Sequence, residues 1–211
     1  MFKSSIKPAL IFDLDETLIH SFTTPQLNSF EITIDSTNQG NQFGKKLYVR
    51  VRNGASLLLG WLQSQFNIFI FTSASKEYAD QIIDHIAPQI PQEHRFYRDS
   101  IKYLNNKYSQ RRSSRGRGFK DISIITKRFS YVELTKTLLI DNSKHCGLCN
   151  PSNTVVIKPW NGLDDDDTIL MDVLYPILTD IAQEDNLLTS LKQQFILDPI
   201  SLRGLSIYTT R

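Results

Sequence analysis

Cysteine is scarce in this sequence, and long apolar segments are absent from it. Its two cysteines among 211 residues, Cys146 and Cys149, are too few for a disulfide framework. We therefore expect a reducing compartment, which means a nuclear or cytoplasmic location. No apolar run approaches the roughly 18 residues of a membrane-spanning helix. The first apolar run is soon interrupted by Asp13 and Asp15, which argues against a secretory signal.

A strong excess of charge of one sign is also missing. The chain has 24 Lys and Arg against 22 Asp and Glu, so its formal net charge is +2. This balance gives no overall attraction to nucleic acid or to a membrane surface, and neither is expected as a direct partner. The hydrophobic content of 40% is enough for one well-formed core in a chain of this length.

Short apolar segments alternate with amphipathic ones along most of the chain. Continuous apolar runs predict buried strands in ALIF, FNIFIF, TLLI and TVVI. Helical spacing predicts helices in ASLLLGWLQSQ, SKEYADQIIDHIA, TILMDVLYPILTDIAQE and NLLTSLKQQFIL. Strands that alternate with helices indicate an α/β fold, with a mostly parallel central sheet and helices on both faces.

Three segments depart from this alternation. Residues 30–52 contain FEITID and KKLYVRVR, whose period of two predicts a small β-hairpin inserted soon after the first strand. Residues 103–119 are polar and rich in basic side chains, which predicts an exposed, inserted loop or hairpin. We expect one domain over residues 1–185, with residues 186–211 forming a C-terminal helical tail packed on it.

Polar side chains follow three of the predicted strands, in DLDET, FTSAS and IDNS. The carboxyl ends of neighbouring parallel strands meet at one edge of a sheet, where ligands gather. Asp13, Asp15, Asp141 and Asn142 would then offer oxygen ligands at this edge. Crowded carboxylates need a cation to offset their repulsion, and Mg²⁺ prefers oxygen ligands. The sequence therefore predicts a magnesium site.

The same edge of the sheet suits phosphoryl transfer. Carboxylates form covalent phosphoryl intermediates, so Asp13 can be a nucleophile, and Asp15 can be a general acid and base. Thr72 can donate its hydroxyl to a phosphoryl oxygen, and Lys120 can neutralise charge in the transition state. Lys127 is the alternative lysine, because the loop before Lys120 is predicted to be an insertion.

Four motifs, DLDETL, FTSAS, FKDIS and LLIDNS, occur in an order that resembles the haloacid dehalogenase (HAD) superfamily. Within it, they resemble the FCP/SCP-like small phosphatases that act on the C-terminal domain of RNA polymerase II and related phosphoproteins. The likeness runs from about Ala9 to Ile181, although Asn53 stands where the family usually has proline. It implies a Rossmann-like fold with the hairpin as a flap. It also implies a Mg²⁺-dependent protein serine/threonine phosphatase that works through an aspartyl-phosphate.

The resemblance also implies a role for each candidate site residue. Asp13 is the nucleophile and Asp15 the acid/base, whereas Thr72 and Lys120 bind the substrate phosphate. The implied metal ligands are Asp13, the Asp15 backbone and Asn142, with Asp141 beside them. Arg98 matches a family arginine that touches an additional substrate phosphate.

Two other functions share this fold. One is a non-catalytic protein-binding module, and the other is a small-molecule phosphatase, which would need a larger cap domain than is predicted here. The intact set of catalytic residues favours the enzyme, which we expect to be a monomer acting on a phosphorylated protein or peptide. The basic run at residues 111–118 fits either a solvated loop or a docking surface for an acidic or multiply phosphorylated partner. Nucleic-acid binding is a less favoured interpretation of that run.

Two further patterns have simpler interpretations. The four aspartates at residues 164–167 are expected at a helix N-terminus, where the macrodipole favours negative charge. Cys146 and Cys149 form a CxxC pair, but a zinc site would need a second pair, so two ordinary reduced cysteines are expected.

Overall fold

The computed structural model describes residues 6–35, 44–103, 118–197 and 204–207. Its strands, in chain order, are β1 Ala9–Phe12, β2 Ile19–Phe22, β3 Ser29–Ile34, β4 Lys45–Val51, β5 Asn67–Phe71, β6 Arg95–Phe96, β7 Lys102–Tyr103, β8 Gly118–Phe119, β9 Thr137–Asp141, β10 Thr154–Ile157 and β11 Leu205–Ile207. The α-helices are α1 Ala55–Leu62, α2 Lys76–Ile86, α3 Ser123–Arg128, α4 Tyr175–Ile181 and α5 Leu187–Leu197. A π-helix spans Ile169–Leu174, and short 3-10 helices span Gln92–His94, Arg98–Ser100, Leu134–Lys136 and Pro151–Asn153.

The central sheet has six strands in the order β11-β10-β9-β1-β5-β6. All neighbouring pairs are parallel except β10 and β11. Strand β1 lies between β9 and β5, and all four of its residues are buried. This is why its sequence is continuously apolar rather than alternating.

Helices cover both faces of the sheet, as the sequence predicts. Leu10 and Phe12 of β1 point into a core formed with α1, α2 and α4. Ala9 and Ile11 point to the other face, where Ile125 of α3 is buried. Alternate residues of one strand therefore contribute to two separate cores.

The inserted hairpin is part of a three-stranded antiparallel sheet in the order β2-β4-β3, which we call the flap. Its β3 edge lies along helix α2. The backbone N–H of Asp35 donates to Glu77 Oε1 at 2.8 Å, and Gln81 Nε2 donates to the Thr33 carbonyl at 2.9 Å. One turn further along α2, the ring of His85 stacks on that of Phe30 with centroids 3.9 Å apart. The flap is thus fixed to the helix at several points along β3.

The C-terminal part of the chain differs from the prediction in two places. The long helix predicted over residues 168–184 is a π-helix followed by α4, and the change occurs next to Pro176, whose ring nitrogen cannot donate to a helical carbonyl. The helical tail predicted over residues 186–211 contains α5, but Leu205–Ile207 form strand β11 instead. That strand pairs with the free edge of β10, a tertiary contact that the tail's own sequence pattern does not reveal.

The basic insertion and the length of the helices are the remaining features that the sequence predicts. Residues 104–117, which include all of the basic run except Gly118, lie outside the described residues. The ends of the predicted insertion pair as β7 and β8. In the described ranges, no helix has both the length and the apolar character needed to cross a bilayer.

Candidate active site

The register of the central sheet brings three predicted site segments together. Phe12 of β1 is paired with Ile70 on one side and Ile140 on the other. The next residue, Asp13, is therefore level with Phe71 and Asp141, and its N–H donates to the Ile140 carbonyl at 2.9 Å. Thr72 directly follows Phe71, the last residue of β5. The strand ends of DLDET, FTSAS and IDNS thus form one edge, as the sequence predicts.

Lys120 lies between two of the carboxylates at this edge. Its Nζ donates to Asp13 Oδ1 and to Asp141 Oδ2, both at 2.6 Å. Lys120 is 1% exposed, and Asp13 and Asp141 are 8% and 0% exposed, so the three charges interact in a largely water-free setting. The alternative lysine, Lys127, is exposed on α3. The structure therefore brings Lys120, and not Lys127, to Asp13.

The charges of this cluster change one another's ionisation. Burial raises the pKa of Asp13 to about 7, although Lys120 opposes this effect and Asp141 adds to it. Burial alone would lower the pKa of Lys120, but the carboxylates of Asp13 and Asp141 outweigh it and raise that pKa overall. One lysine thus faces two buried carboxylates, and the cluster has an unbalanced negative charge that a further cation would offset.

A tight turn after β1 presents Asp15. The N–H of Leu18 donates to the Leu14 carbonyl at 2.9 Å, and Glu16 has a positive φ of 60°, which is uncommon for a residue other than glycine. Two backbone hydrogen bonds, each of 2.8 Å, hold Glu16 in this conformation. Its N–H donates to the Ile19 carbonyl, and its carbonyl accepts from the backbone N–H of Trp160. Burial raises the pKa of Asp15, the direction that a general acid requires.

Of the other predicted phosphate ligands, Thr72 lies at the end of β5 and Arg98 lies beside the loop that follows it. Thr72 is buried, and its Oγ1 accepts the N–H of Ala74 at 3.1 Å, which leaves the hydroxyl proton available to a phosphoryl oxygen. Arg98, in a 3-10 helix, is exposed beside the same loop, with its Nε donating to the Ser73 carbonyl at 2.9 Å. Arg98 is thus attached to the loop that begins with Thr72.

The predicted magnesium ligands have the right chemistry for that ion. Within the described ranges, no three His, Cys, Asp or Glu side chains cluster as a metal site. The predicted set does not need such a cluster, because Asp13 would supply a carboxylate, Asn142 an amide and Asp15 a backbone carbonyl, with Asp141 alongside. Asp13 and Asp141 each give only one oxygen to Lys120. The unbalanced negative charge beside these oxygens also fits a divalent cation.

Arg52 is a feature that the sequence analysis missed. It is fully buried at the base of the flap, and its Nε and Nη2 donate to the two carboxylate oxygens of Asp167 at 2.9 and 2.8 Å. Its Nη1 donates to the carbonyls of Thr17 and Lys158, both at 3.1 Å. Thr17 Oγ1 in turn accepts the N–H of Asn142 at 3.1 Å. Arg52 therefore connects the flap to the turn that presents Asp15 and to the strand end that holds Asn142.

The aspartate run lies directly before a helix, as the sequence predicts, and two of its members also form ion pairs at the flap. Asp167 pairs with buried Arg52, and Asp165 pairs with Arg50 of β4. The helix that follows begins at Ile169 as a π-helix, and Thr168 is its N-cap residue. These aspartates therefore attach the flap to the chain before the π-helix. The sequence did contain a signal for these ion pairs, because Arg50 and Arg52 alternate in KKLYVRVR and an acidic run occurs at residues 164–167.

Removing Arg52 is expected to destabilise the fold strongly. The substitution Arg52→Ala would leave Asp167 buried without its partner, so we expect a loss of about 3–5 kcal/mol in the free energy of unfolding. Urea denaturation would measure it. The control is Lys46→Ala on the same β4 strand, whose pair with Glu31 is exposed and should contribute little. Equal stabilities of the two variants would contradict the importance of the buried pair.

The two cysteines are free, and Cys146 lies beside the site. The carbonyl of Cys146 accepts the N–H of Lys120 at 2.8 Å, so the loop after Asn142 supports the lysine backbone. Burial raises the pKa of the Cys146 thiol to about 12, which makes it a poor nucleophile and metal ligand at neutral pH. The interpretation of ordinary reduced cysteines is consistent with this.

Comparisons with known proteins identify the family. The model of the NLI interacting factor-like phosphatases matches residues 8–188. The chain is 29% identical over 178 residues to a probable C-terminal domain small phosphatase of Dictyostelium discoideum, covering 84% of this chain and 51% of that protein. It is 28% identical over 189 residues to the human CTD small phosphatase-like protein, covering 88% and 60%. It is 30% identical over 184 residues to the nuclear envelope morphology protein 1 of Saccharomyces cerevisiae, covering 80% and 38%.

A solved structure supports the fold. Fcp1, described as an essential RNA polymerase II CTD phosphatase, matches with a TM-score of 0.53 at 19% identity, over 90% of this chain and 50% of that one. This chain spans between 38% and 60% of the length of the three curated relatives named above. The resemblance to FCP/SCP-like members of the HAD superfamily is confirmed, and the chain belongs to the NLI interacting factor-like phosphatase family.

Proposed function

We propose that this chain is a Mg²⁺-dependent protein serine/threonine phosphatase that works through an aspartyl-phosphate. The observation that carries the proposal is the buried contact of Lys120 with Asp13 and Asp141. Asp15 follows Asp13 by two residues. A nucleophile, a cation for the phosphoryl charge and a candidate acid/base thereby meet at one sheet edge. Phosphoserine in the RNA polymerase II C-terminal domain, or in a related phosphoprotein, is the proposed substrate, because the relatives carry such names.

In the first step, a carboxylate oxygen of Asp13 attacks phosphorus, and the bond to the serine oxygen breaks. Asp15 gives its proton to that oxygen, so serine leaves as a neutral alcohol. Lys120 and the hydroxyl of Thr72 donate to the phosphoryl oxygens, where negative charge must be held in the transition state. The raised pKa of Asp15 favours the protonated form that this step uses.

In the second step, water hydrolyses the aspartyl-phosphate. Asp15, now ionised, takes a proton from the water as its oxygen attacks phosphorus, which releases phosphate and regenerates Asp13. Asp15 thus returns to its protonated form, and the cycle balances. One residue can serve in both steps because the proton it gives in the first is recovered in the second.

The predicted holders of Mg²⁺ are Asp13, the backbone carbonyl of Asp15 and Asn142, with Asp141 beside them. A bound Mg²⁺ would neutralise phosphoryl charge and favour the ionised form of Asp13. The raised pKa of Asp13 makes such a cation useful, because the nucleophile must be ionised to attack. The chain's own cation, Lys120, is shared between Asp13 and Asp141.

A phosphopeptide array tests the proposal. With Mg²⁺ present, we expect phosphate release from serine-phosphorylated peptides, including repeats of the polymerase tail. The assay requires no prior choice of substrate, and it also reveals the preferred position of the phosphoserine. If no phosphopeptide and no small aryl phosphate is hydrolysed, the catalytic proposal is wrong and the alternative of a binding module is favoured.

Relatives such as nuclear envelope morphology protein 1 are compatible with the proposed nuclear or cytoplasmic location.

Arg98 is expected to read a second negative charge on the substrate. Its guanidinium is exposed and attached to the Thr72 loop, and arginine binds phosphate through a planar fork. We expect Arg98→Ala to reduce the preference in kcat/KM for doubly over singly phosphorylated peptides about tenfold, which is ~1.4 kcal/mol. A matched control is Arg128→Ala, because Arg128 is exposed and stacks on Phe96 and Phe129. An unchanged preference in Arg98→Ala would remove this residue from substrate recognition.

A further inference from the structure

Tyr78 makes a contact with the candidate acid/base that the mechanism above does not use. It lies in the first turns of α2 and is 8% exposed. Its hydroxyl donates a hydrogen bond to Asp15 Oδ1, and it also lies within hydrogen-bond distance of Ser21 Oγ in flap strand β2. The helical pattern alone predicts Tyr78 as a core residue, and its ring does lie in the main core.

The direction of these hydrogen bonds follows from the number of protons. Tyrosine has one hydroxyl proton, and a carboxylate oxygen of Asp15 can only accept. When that proton goes to Asp15, the Tyr78 oxygen must accept from the hydroxyl of Ser21. The result is a chain from Ser21 through Tyr78 to Asp15, in which each bond polarises and strengthens the next.

The groups that hold this chain come from firmly packed elements. Ser75 is the N-cap residue of helix α2, and its Oγ accepts a hydrogen bond from the backbone N–H of Tyr78. The same helix is hydrogen-bonded to β3 of the flap, and Ser21 belongs to β2 on the opposite edge of that sheet. A side chain placed by packed elements holds its geometry better than one on a loop.

We propose that Tyr78 is a positioning residue, which holds one oxygen of Asp15 so that the other can transfer a proton, and that Ser21 fixes the Tyr78 hydroxyl. The inference rests on the proposed function. Among the described residues, Asp15 Oδ2 has no hydrogen-bond partner, so it remains available for the leaving oxygen or the water. The tight turn that contains Asp15 restricts its backbone, and Tyr78 restricts its side chain.

The role can be tested with two aryl phosphates that differ in their need for a proton. p-Nitrophenolate leaves readily without protonation, whereas phenolate is a poorer leaving group and depends more on the general acid. The value of kcat/KM reports the steps up to departure of the leaving group. We expect Tyr78→Phe to lower kcat/KM about tenfold for phenyl phosphate and less than about threefold for p-nitrophenyl phosphate. Asp15→Asn should show the same dependence on leaving group, with a larger effect.

Two further variants separate positioning from folding. Ser21→Ala should change kcat/KM in the same direction as Tyr78→Phe but by a smaller factor, since it removes only the outer link of the chain. Tyr97→Phe is the matched control, because the Tyr97 hydroxyl also donates to an aspartate, Asp80, at 2.6 Å. It should leave the ratio between the two aryl phosphates unchanged. Thermal melts of all variants would report their folding.

The outcomes distinguish this inference from the proposed function. If the wild type hydrolyses both compounds with Mg²⁺ and Tyr78→Phe loses the same factor on each, Tyr78 has only a structural role and the inference is overturned. If Tyr78→Phe does not fold, an unchanged ratio in Ser21→Ala overturns it. If the wild type hydrolyses neither compound, the proposed function fails, and this inference fails with it.

Discussion

Replacing Asp13 with asparagine is expected to abolish phosphatase activity, with kcat falling at least about 10⁴-fold. An amide has nearly the same shape as a carboxylate but is a very poor nucleophile toward phosphorus. The fold should persist, because Lys120 would keep its contact with Asp141 in the variant. Steady-state hydrolysis of p-nitrophenyl phosphate would measure the loss, and a thermal melt would confirm that the variant is folded.

Trapping the intermediate sharpens this test. When ³²P-labelled substrate is quenched with acid, the wild-type chain should carry acid-stable label, and Asp13→Asn should carry none. Asp185→Asn is the matched control, since Asp185 is exposed and lies far from the sheet edge that holds Asp13. Its Oδ1 is 3.6 Å from the Nζ of Lys136, which precedes β9. Retention of substantial activity by Asp13→Asn would rule out the aspartyl-phosphate mechanism.

Removal of divalent cations is expected to eliminate activity completely, and added Mg²⁺ should restore it. The buried carboxylates of Asp13 and Asp141 share one lysine, so a second cation is needed before a dianionic phosphate can bind beside them. Ca²⁺ should inhibit, because its larger and more flexible coordination shell can take both oxygens of Asp13 and prevent in-line attack. Hydrolysis rates in EDTA, and after each metal is added back, would measure both effects.

A ligand variant shows whether the metal binds where we propose. Asn142→Ala should raise the Mg²⁺ concentration that gives half-maximal activity by at least about tenfold. Asn67→Ala is the control, because Asn67 begins β5 at the opposite edge of the sheet and donates to the Lys7 carbonyl. Full activity in EDTA would contradict the metal requirement, and identical Mg²⁺ dependence of the two variants would remove Asn142 from the metal site.

The parts that local sequence determines are the buried strands and the residues that follow them. The apolar run before Asp13 can be satisfied only in a central strand, because each of its side chains must be buried on one face or the other. Polar residues at the ends of such strands are then forced to one edge, whichever helices connect them. For this reason the α/β fold and the position of Asp13, Thr72 and Asp141 at one edge could be predicted. Lys120 follows β8, outside the central sheet, so the strand pattern left the choice between Lys120 and Lys127 to the tertiary structure. The catalytic roles of these residues remain predictions.

The tertiary structure alone decided contacts between segments that are distant in the chain. The Arg52–Asp167 pair joins residues 115 positions apart, and the Tyr78–Asp15 bond joins residues 63 apart. A sequence pattern of period two or 3.6 indicates only which face of a strand or helix a residue occupies. It does not indicate which distant residue that side chain contacts. Strand β11 likewise exists because β10 leaves an edge unpaired. The sequence by itself therefore determined the four inner strands of the sheet and the polar residues at their ends. The packing of the flap and α2 decided how Asp15 is held.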